Sequence, residues 1–411
     1  MTAGGRTETN AQPSLSEASA ACVQSYRPSP VPSVAVKASS SADLGGATGI
    51  ERRLLLHVTR SAAFPPPVGG MVMKISYRLV LAGVAAVLAA GCSNSGAPNV
   101  PQVAGGAAHS RGPSPNITRL QSWRTAVAHE PAPGKGCYTA AYPLTTWKKV
   151  ACITAPNRPY IPRSSGGGGL TVGDGNDYAA VTSTLTSNAV GSFPKARRLK
   201  SETDYGRANV YSIQLNSNFM SGDPACAGAD KPSQCLGWLQ FVYSSSEHAS
   251  FMQYWLIRYT GGTVHCPAGW NSFTPDCYKN SSAVSTPQEP VTDLPKMNLS
   301  GNAVNGGLDT LVYTDGTNAY QTTGEDSVMY LSQGWTGSEF NIIGDGGGSQ
   351  AVFNAGTALT VEIDLTDGTT GAPTCQPHDG TTGETNNLNL KKCNATGGTV
   401  PQVKFHESLK K

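Results

Sequence analysis

Two amides and two indoles recur at the same spacing in neighbouring runs. Gln240 follows Trp238 in residues 236–243, and Gln253 precedes Trp255 in residues 251–259. Side chains two apart on a strand share a face, so each run would set an amide beside an indole on one sheet surface. Such a surface suits a polar ligand with an apolar side, carbohydrate or peptide. Residues 209–219 extend it: Tyr211, Ile213, Leu215 and Phe219 fall on one face, and Ser212, Gln214, Asn216 and Asn218 on the other.

Other constellations carry less. Glu362 and Asp364 share a strand face, as the paired carboxylates of sandwich glycoside hydrolases do, but the third acid is Asp367 and the flanking Trp and Gly are missing. Solvent-facing alternation explains them. Asp174 and Asp177 in one glycine cluster and Asp345 in another could wrap calcium, but neither cluster repeats or fills an EF-hand loop, so both read as tight turns. His248, His265 and His378 have no ligand spacing. No metal and no cofactor is expected. A Ser-His-Asp site lacks its nucleophile elbow.

The elements that must position these residues are strands. The 411 residues are 14% charged with net charge +3, and 47 glycines punctuate short apolar runs. No tract is basic enough for nucleic acid; the densest, residues 195–200, reads as a solvated turn. Further strands are expected at 310–314, 327–331, 339–343, 350–354 and 358–365, with 236–243 and 251–259 as a central hairpin. Residues 179–189 have the alanine of a helix, and threonines that oppose it. The fold class expected is all-β, an antiparallel β-sandwich or jelly roll of concanavalin-like type, stapled by disulfides. Of ten cysteines, Cys22 and Cys92 lie early, and Cys137, Cys152, Cys226, Cys235, Cys266, Cys277, Cys375 and Cys393 form four sequence-local couples. Nearest-neighbour pairing is the hypothesis, in an oxidising compartment. The stretch from Cys266 to Cys277 is similar to the opening hairpin of C-type lectin-like domains, but the likeness stops there and it reads as a closed loop.

Two resemblances add to this. Residues 71–92 have Lys74 and Arg78, then an apolar run, then Ala90-Gly91-Cys92. The run is shorter than the ~20 apolar residues that a membrane span needs. Its ending resembles the lipobox of bacterial lipoproteins, although Ala89 stands where Leu is commonest. That resemblance implies cleavage before Cys92, lipid on its sulfur, and, with Ser93 next, the outer membrane.

The second is to the glutamic peptidase (eqolisin) family, acid endopeptidases on a jelly-roll sandwich. Cys235-Leu-Gly-Trp-Leu-Gln240-Phe-Val-Tyr243, Gln253-Tyr-Trp-Leu-Ile257 and Ser338-Glu339-Phe340-Asn341-Ile342-Ile343-Gly344-Asp345 resemble its segments in order and spacing, as do Ala351-Val352-Phe353 and Leu359-Thr360-Val361. The resemblance implies that Gln240 orients water and polarises the carbonyl while Glu339 serves as acid and base. It departs at the family's second glutamate, near which this chain has Gly344 and Asp345.

The organisation expected is an upstream extension or misassigned start over 1–70, an export signal over 71–92, a tether over 93–120, an arm over 121–169 ending in a glycine-rich joint, and the sandwich over 170–411. The function expected is an exported, lipid-anchored envelope protein, outer-membrane or secreted. It binds carbohydrate or peptide through Gln214, Asn216, Trp238, Gln253 and Trp255, touching membrane through its lipid only. The alternative is an acid endopeptidase using Gln240 and Glu339.

Overall fold

The computed structural model describes residues 117–164 and 168–410. The extension, the export signal with Cys92, most of the tether and residues 165–167 of the joint lie outside the described residues. The described chain builds one eleven-stranded and one thirteen-stranded sheet. Pairing is antiparallel except between Gln350–Phe353 and Thr385–Thr396. The all-β sandwich expected from the strand pattern is what forms.

The eleven-stranded sheet is organised on the hairpin Leu236–Ser244 and Ala249–Ile257. Strand Ser212–Ser217 pairs with the first of these, and Gly337–Ile343 pairs with Ser212–Ser217. The alternation decides the faces. Ile213, Leu215, Leu239, Phe241, Tyr243, Met252, Tyr254 and Leu256 join Phe193, Leu299, Tyr313 and Val361 of the other sheet in one core. Aromatic pairs cross between the sheets: Tyr243 stacks on Tyr313 at 4.1 Å, and Phe193 meets Phe340 at 4.9 Å between ring centroids.

Where a large ring crosses, the opposite strand must give way. A Cβ on Gly301 would lie 2.2 Å from the Phe241 ring, and one on Gly191 would lie 2.1 Å from Phe340. Gly301→Ala is therefore expected to overpack the core and cost about 1–3 kcal/mol, read as a lowered midpoint in denaturant at unchanged m-value. A shift inside about 0.5 kcal/mol would show that the sheets separate freely there.

Three local expectations are corrected. Residues 327–331 are not a strand: Asp326–Val328 and Leu331–Gln333 are short 3-10 turns. The Asp326 carboxylate draws the chain inward by accepting from Gly306 N at 2.9 Å and Ser332 Oγ at 3.0 Å. Residues 179–189 are not helical, because Tyr178–Val181 and Asn188–Arg197 are strands separated by a bend. In that bend Thr182 Oγ1 donates to Thr184 O at 2.7 Å, the local competition by which hydroxyls oppose a helix. Phe219 leaves the core side, because the strand stops at Ser217 and the ring packs on Trp238 instead, with centroids 5.5 Å apart.

All four expected couples are disulfides: Cys137–Cys152, Cys226–Cys235, Cys266–Cys277 and Cys375–Cys393. They are compatible with an extracytoplasmic, oxidising compartment. Among the described residues no helix is long and apolar enough to cross a membrane.

Helix Ile117–His129 begins inside the stretch read as tether and packs Trp123 and Val127 against Tyr138, Trp147 and Val312. Strand Cys137–Ala141 then joins the thirteen-stranded sheet beside Asn318–Glu325. Beyond Cys152 the chain crosses to the amide-bearing face of the eleven-stranded sheet, where residues 156–163 lie.

Candidate functional site

The cross-strand register sets one polar row. Asn280 pairs with Gln253, Gln253 with Gln240, Gln240 with Asn216, and Asn216 with Glu339. With strands ~4.8 Å apart, the Cα atoms of Gln240 and Glu339 stand roughly 10 Å apart, Asn216 between them. One rung to the side, Trp238 pairs with Trp255 and Trp255 with Tyr278, their ring centroids 6.1 and 5.2 Å apart. All five binding residues expected from the sequence, and both expected catalytic residues, thus meet on one face.

Hydrogen bonds knit the row. Gln240 Nε2 donates to Gln214 Oε1 at 2.9 Å, and Trp255 Nε1 donates to Gln240 Oε1 at 3.0 Å. Asn216 Nδ2 donates to Gln214 Oε1 at 3.3 Å and to Glu339 Oε2 at 3.1 Å. Gln240 and Glu339 therefore communicate through Asn216 and Gln214 rather than by direct contact.

Glu339 is held by one oxygen. Its Oε2 also accepts from Thr381 N at 2.7 Å, Thr381 Oγ1 at 2.8 Å and Thr382 N at 3.2 Å. Its buried Oε1 has no hydrogen-bond partner. A Cβ on Gly380 would stand 2.6 Å from that oxygen, so the loop reaches the carboxyl only with glycine there. Burial pushes the Glu339 carboxyl above the usual range, and the donors from Thr381, Asn216 and Thr382 pull it partway back.

Further buried acids surround it. Glu384 is pushed up to about 7 by burial, against donors that include Thr382, Gly348 N and Ile161 N. Glu407 is pushed up to about 8 by burial. Asp177 lies well above its ordinary range through burial and then the nearby charges of Glu339 and Glu407. Asn341 Nδ2 ties these acids together, donating to Asp177 Oδ2 at 2.9 Å and Glu407 Oε2 at 3.2 Å.

A cavity of about 250 Å³ adjoins Glu339, lined also by Arg163, Asn218, Phe219, Asp379 and Thr381. A larger hollow of about 680 Å³ at Thr260, His265 and Pro275 brings together no comparable acid. Chemistry, not size, marks the place.

Thr381, Thr382, Glu384 and Arg163 were not singled out from the sequence. They reach the site on a disulfide-bounded loop and an arm whose paths no strand period reveals; the glycines and threonines of 379–384 signal only a turn. Of the acids discounted on sequence, Asp177 joins the site, whereas Glu362 pairs with Lys404 away from it and Asp364 beside that pair is pushed up to about 6 by burial. Asp345 accepts from Tyr160 Oη and Ser244 Oγ, each at 2.8 Å. Among the described residues no group of three or more His, Cys, Asp or Glu is arranged to hold a metal ion.

No protein-family model and no curated protein matches the chain. Two solved structures bear a weak resemblance. One is Scytalido-glutamic peptidase with a peptide-based transition-state analogue, 11% identical, covering 57% of this chain and 97% of that one at a TM-score of 0.27. The other is SCP-B, a member of the eqolisin family of peptidases, with the tripeptide Ala-Ile-His; it is 11% identical and covers 56% of this chain and 96% of that one at a TM-score of 0.23. Overlap at this level establishes no common chemistry.

Proposed function

We propose that the amide row is a groove for extended peptide and that Glu339 hydrolyses the peptide under acid conditions. The observation that carries this reading is a buried carboxyl, fixed through one oxygen and free at the other, at the end of a line of side-chain amides. A fixed carboxyl raised by burial, with one free oxygen, is set to exchange protons. As water adds to the scissile carbon, Glu339 protonates the carbonyl oxygen. The carboxylate so formed takes a proton from the added water. It delivers that proton to the nitrogen as the C–N bond breaks, and the remaining hydroxyl proton returns to it as the product carboxyl forms. Gln240 and Asn216 are the amides placed to orient the water and hold the developing oxygen charge.

Binding without turnover is the second reading, and one observation favours it: both ends of the Gln240 amide are engaged within the protein. Trp238 and Trp255 are fully buried, as are Gln214, Asn216, Gln240 and Gln253; what favours peptide over carbohydrate is that Gln253 already bonds main-chain groups, Arg158 O and Tyr160 N. The protein is further proposed to be exported and anchored by lipid on Cys92, which mass spectrometry of the mature N-terminus reads directly.

Casein digestion between about pH 2 and 5 tests the hydrolytic reading. Cleavage by the full chain, abolished down to background in Glu339→Gln and reduced in Gln240→Ala, is expected. No cleavage by the unaltered protein, with saturable peptide binding, would leave the binding reading alone.

A further inference from the structure

The amide face is already occupied by a piece of the same chain. Residues 156–163 run across the strands along the polar row towards Glu339. Asn280 Nδ2 donates to Pro156 O at 2.8 Å. Gln253 then serves two residues at once, its Nε2 donating to Arg158 O at 2.9 Å and its Oε1 accepting from Tyr160 N at 2.7 Å. Ile161 N donates to Glu384 Oε1 at 2.9 Å, and Gly383 N donates to Ile161 O at 2.7 Å. Last, Arg163 N donates to Thr381 O at 2.8 Å, and it is Thr381 N that donates to the Glu339 carboxyl.

These bonds read main chain and accept many sequences. Side chains are read as well: Tyr278 Oη donates to Asn157 Oδ1 at 2.9 Å, Arg158 Nη1 donates to Asp345 O at 2.7 Å and its Nη2 pairs with Glu247 at 3.2 Å, and Tyr160 and Arg163 are held on the groove's two sides. Tyr160 is fully buried, its ring 5.8 Å from Phe251 between centroids and its hydroxyl on Asp345 Oδ1 at 2.8 Å. The Arg163 guanidinium lies 5.4 Å over the Phe219 ring and donates to Gly380 O at 2.6 Å. Mere cover for a sheet would be cheaper on an apolar face, because buried amides and acids cost stability unless main-chain groups satisfy them.

We infer that residues 156–163 are the chain's own stand-in for its ligand. The groove takes an extended peptide with Tyr and Arg three residues apart, the Arg nearest Glu339, and the arm holds it shut against such peptides. This rests on reading the amide row as a peptide groove, but not on hydrolysis there.

The test uses the full chain carrying Tyr160→Ala and Arg163→Ala, and a fluorescent peptide of residues 155–164 followed by anisotropy. The variant is expected to bind this peptide at least about tenfold more tightly than the unaltered protein, whose groove is filled. A control peptide with Ala at the positions of Tyr160 and Arg163, Arg158 being kept, should bind at least about tenfold more weakly. Equal affinity of variant and unaltered protein, or no discrimination between peptides, overturns the inference. If the double variant loses its cooperative melt, Tyr160→Phe, which removes only the hydroxyl on Asp345, is expected to gain part of the affinity, and no gain counts against the inference. The two readings separate: peptide bound but never cleaved sinks hydrolysis alone. Casein cleaved equally fast by variant and unaltered protein sinks the self-occupied groove alone.

Discussion

Glu339→Gln is expected to lower acid peptide hydrolysis by about 10²–10⁴-fold, the usual worth of a positioned acid–base group, with the fold intact. The side-chain oxygen of glutamine can still accept from Asn216 Nδ2, Thr381 N and Oγ1, and Thr382 N, which all converge on Oε2 of the acid. What is lost is the exchangeable proton. Because the replacement also removes a buried ionisable group, the melting temperature should hold or rise, which distinguishes lost chemistry from lost structure. Gln240→Ala should lose less in turnover and more in stability, since its amide bridges Trp255 and Gln214. Hydrolysis by Glu339→Gln within a factor of about 3 of the unaltered protein would remove Glu339 from the chemistry.

The second large effect is on stability. Burial pushes Glu384 up to about 7 and Glu407 and Asp309 up to about 8 in the folded protein, whereas such groups titrate near 4 in an unfolded chain. Between about pH 4 and 8 the folded state therefore holds protons that the unfolded state has released. Their stabilisation is fully present below the unfolded values and is lost as pH rises through the folded ones. Each unit of elevation corresponds to about 1.4 kcal/mol, so the groups together amount to several kcal/mol. The melting temperature should fall by at least about 10 °C from pH 4 to pH 8. Glu407→Gln, which keeps an oxygen for Asn341 Nδ2, should flatten that slope; a protein most stable near neutrality would contradict the burial of these acids as neutral groups.

Much of this arrangement could be read before the fold was known. A two-residue period maps directly onto sheet faces, so the alternation of Ile213 and Leu215 with Gln214 and Asn216, and the Gln240–Gln253 hairpin, were legible. Disulfide partners followed from local spacing. Register was not: nothing in the types of Gln240, Asn216 and Glu339 says that they share one rung, because that depends on how distant strands slide into place. The Glu339 donors other than Asn216 come from a loop closed by Cys375–Cys393, where no periodicity constrains side-chain direction. Phe219 departs from the face its spacing predicts for a related reason, since the strand ends at Ser217. Spacing alone does not predict the turns at 326–333, because the Asp326 carboxylate that fixes them also accepts from the distant Gly306 N.

The most direct test of Glu339 as the proton carrier is the pH dependence of kcat/KM for one extended peptide from about pH 2 to 8, with Glu339→Gln alongside. The expected result is a rate highest in acid that falls as pH rises through the elevated carboxyl pKa, with only background from the variant. A rate that increases towards neutral pH, or a variant whose profile overlays that of the unaltered protein, would contradict it.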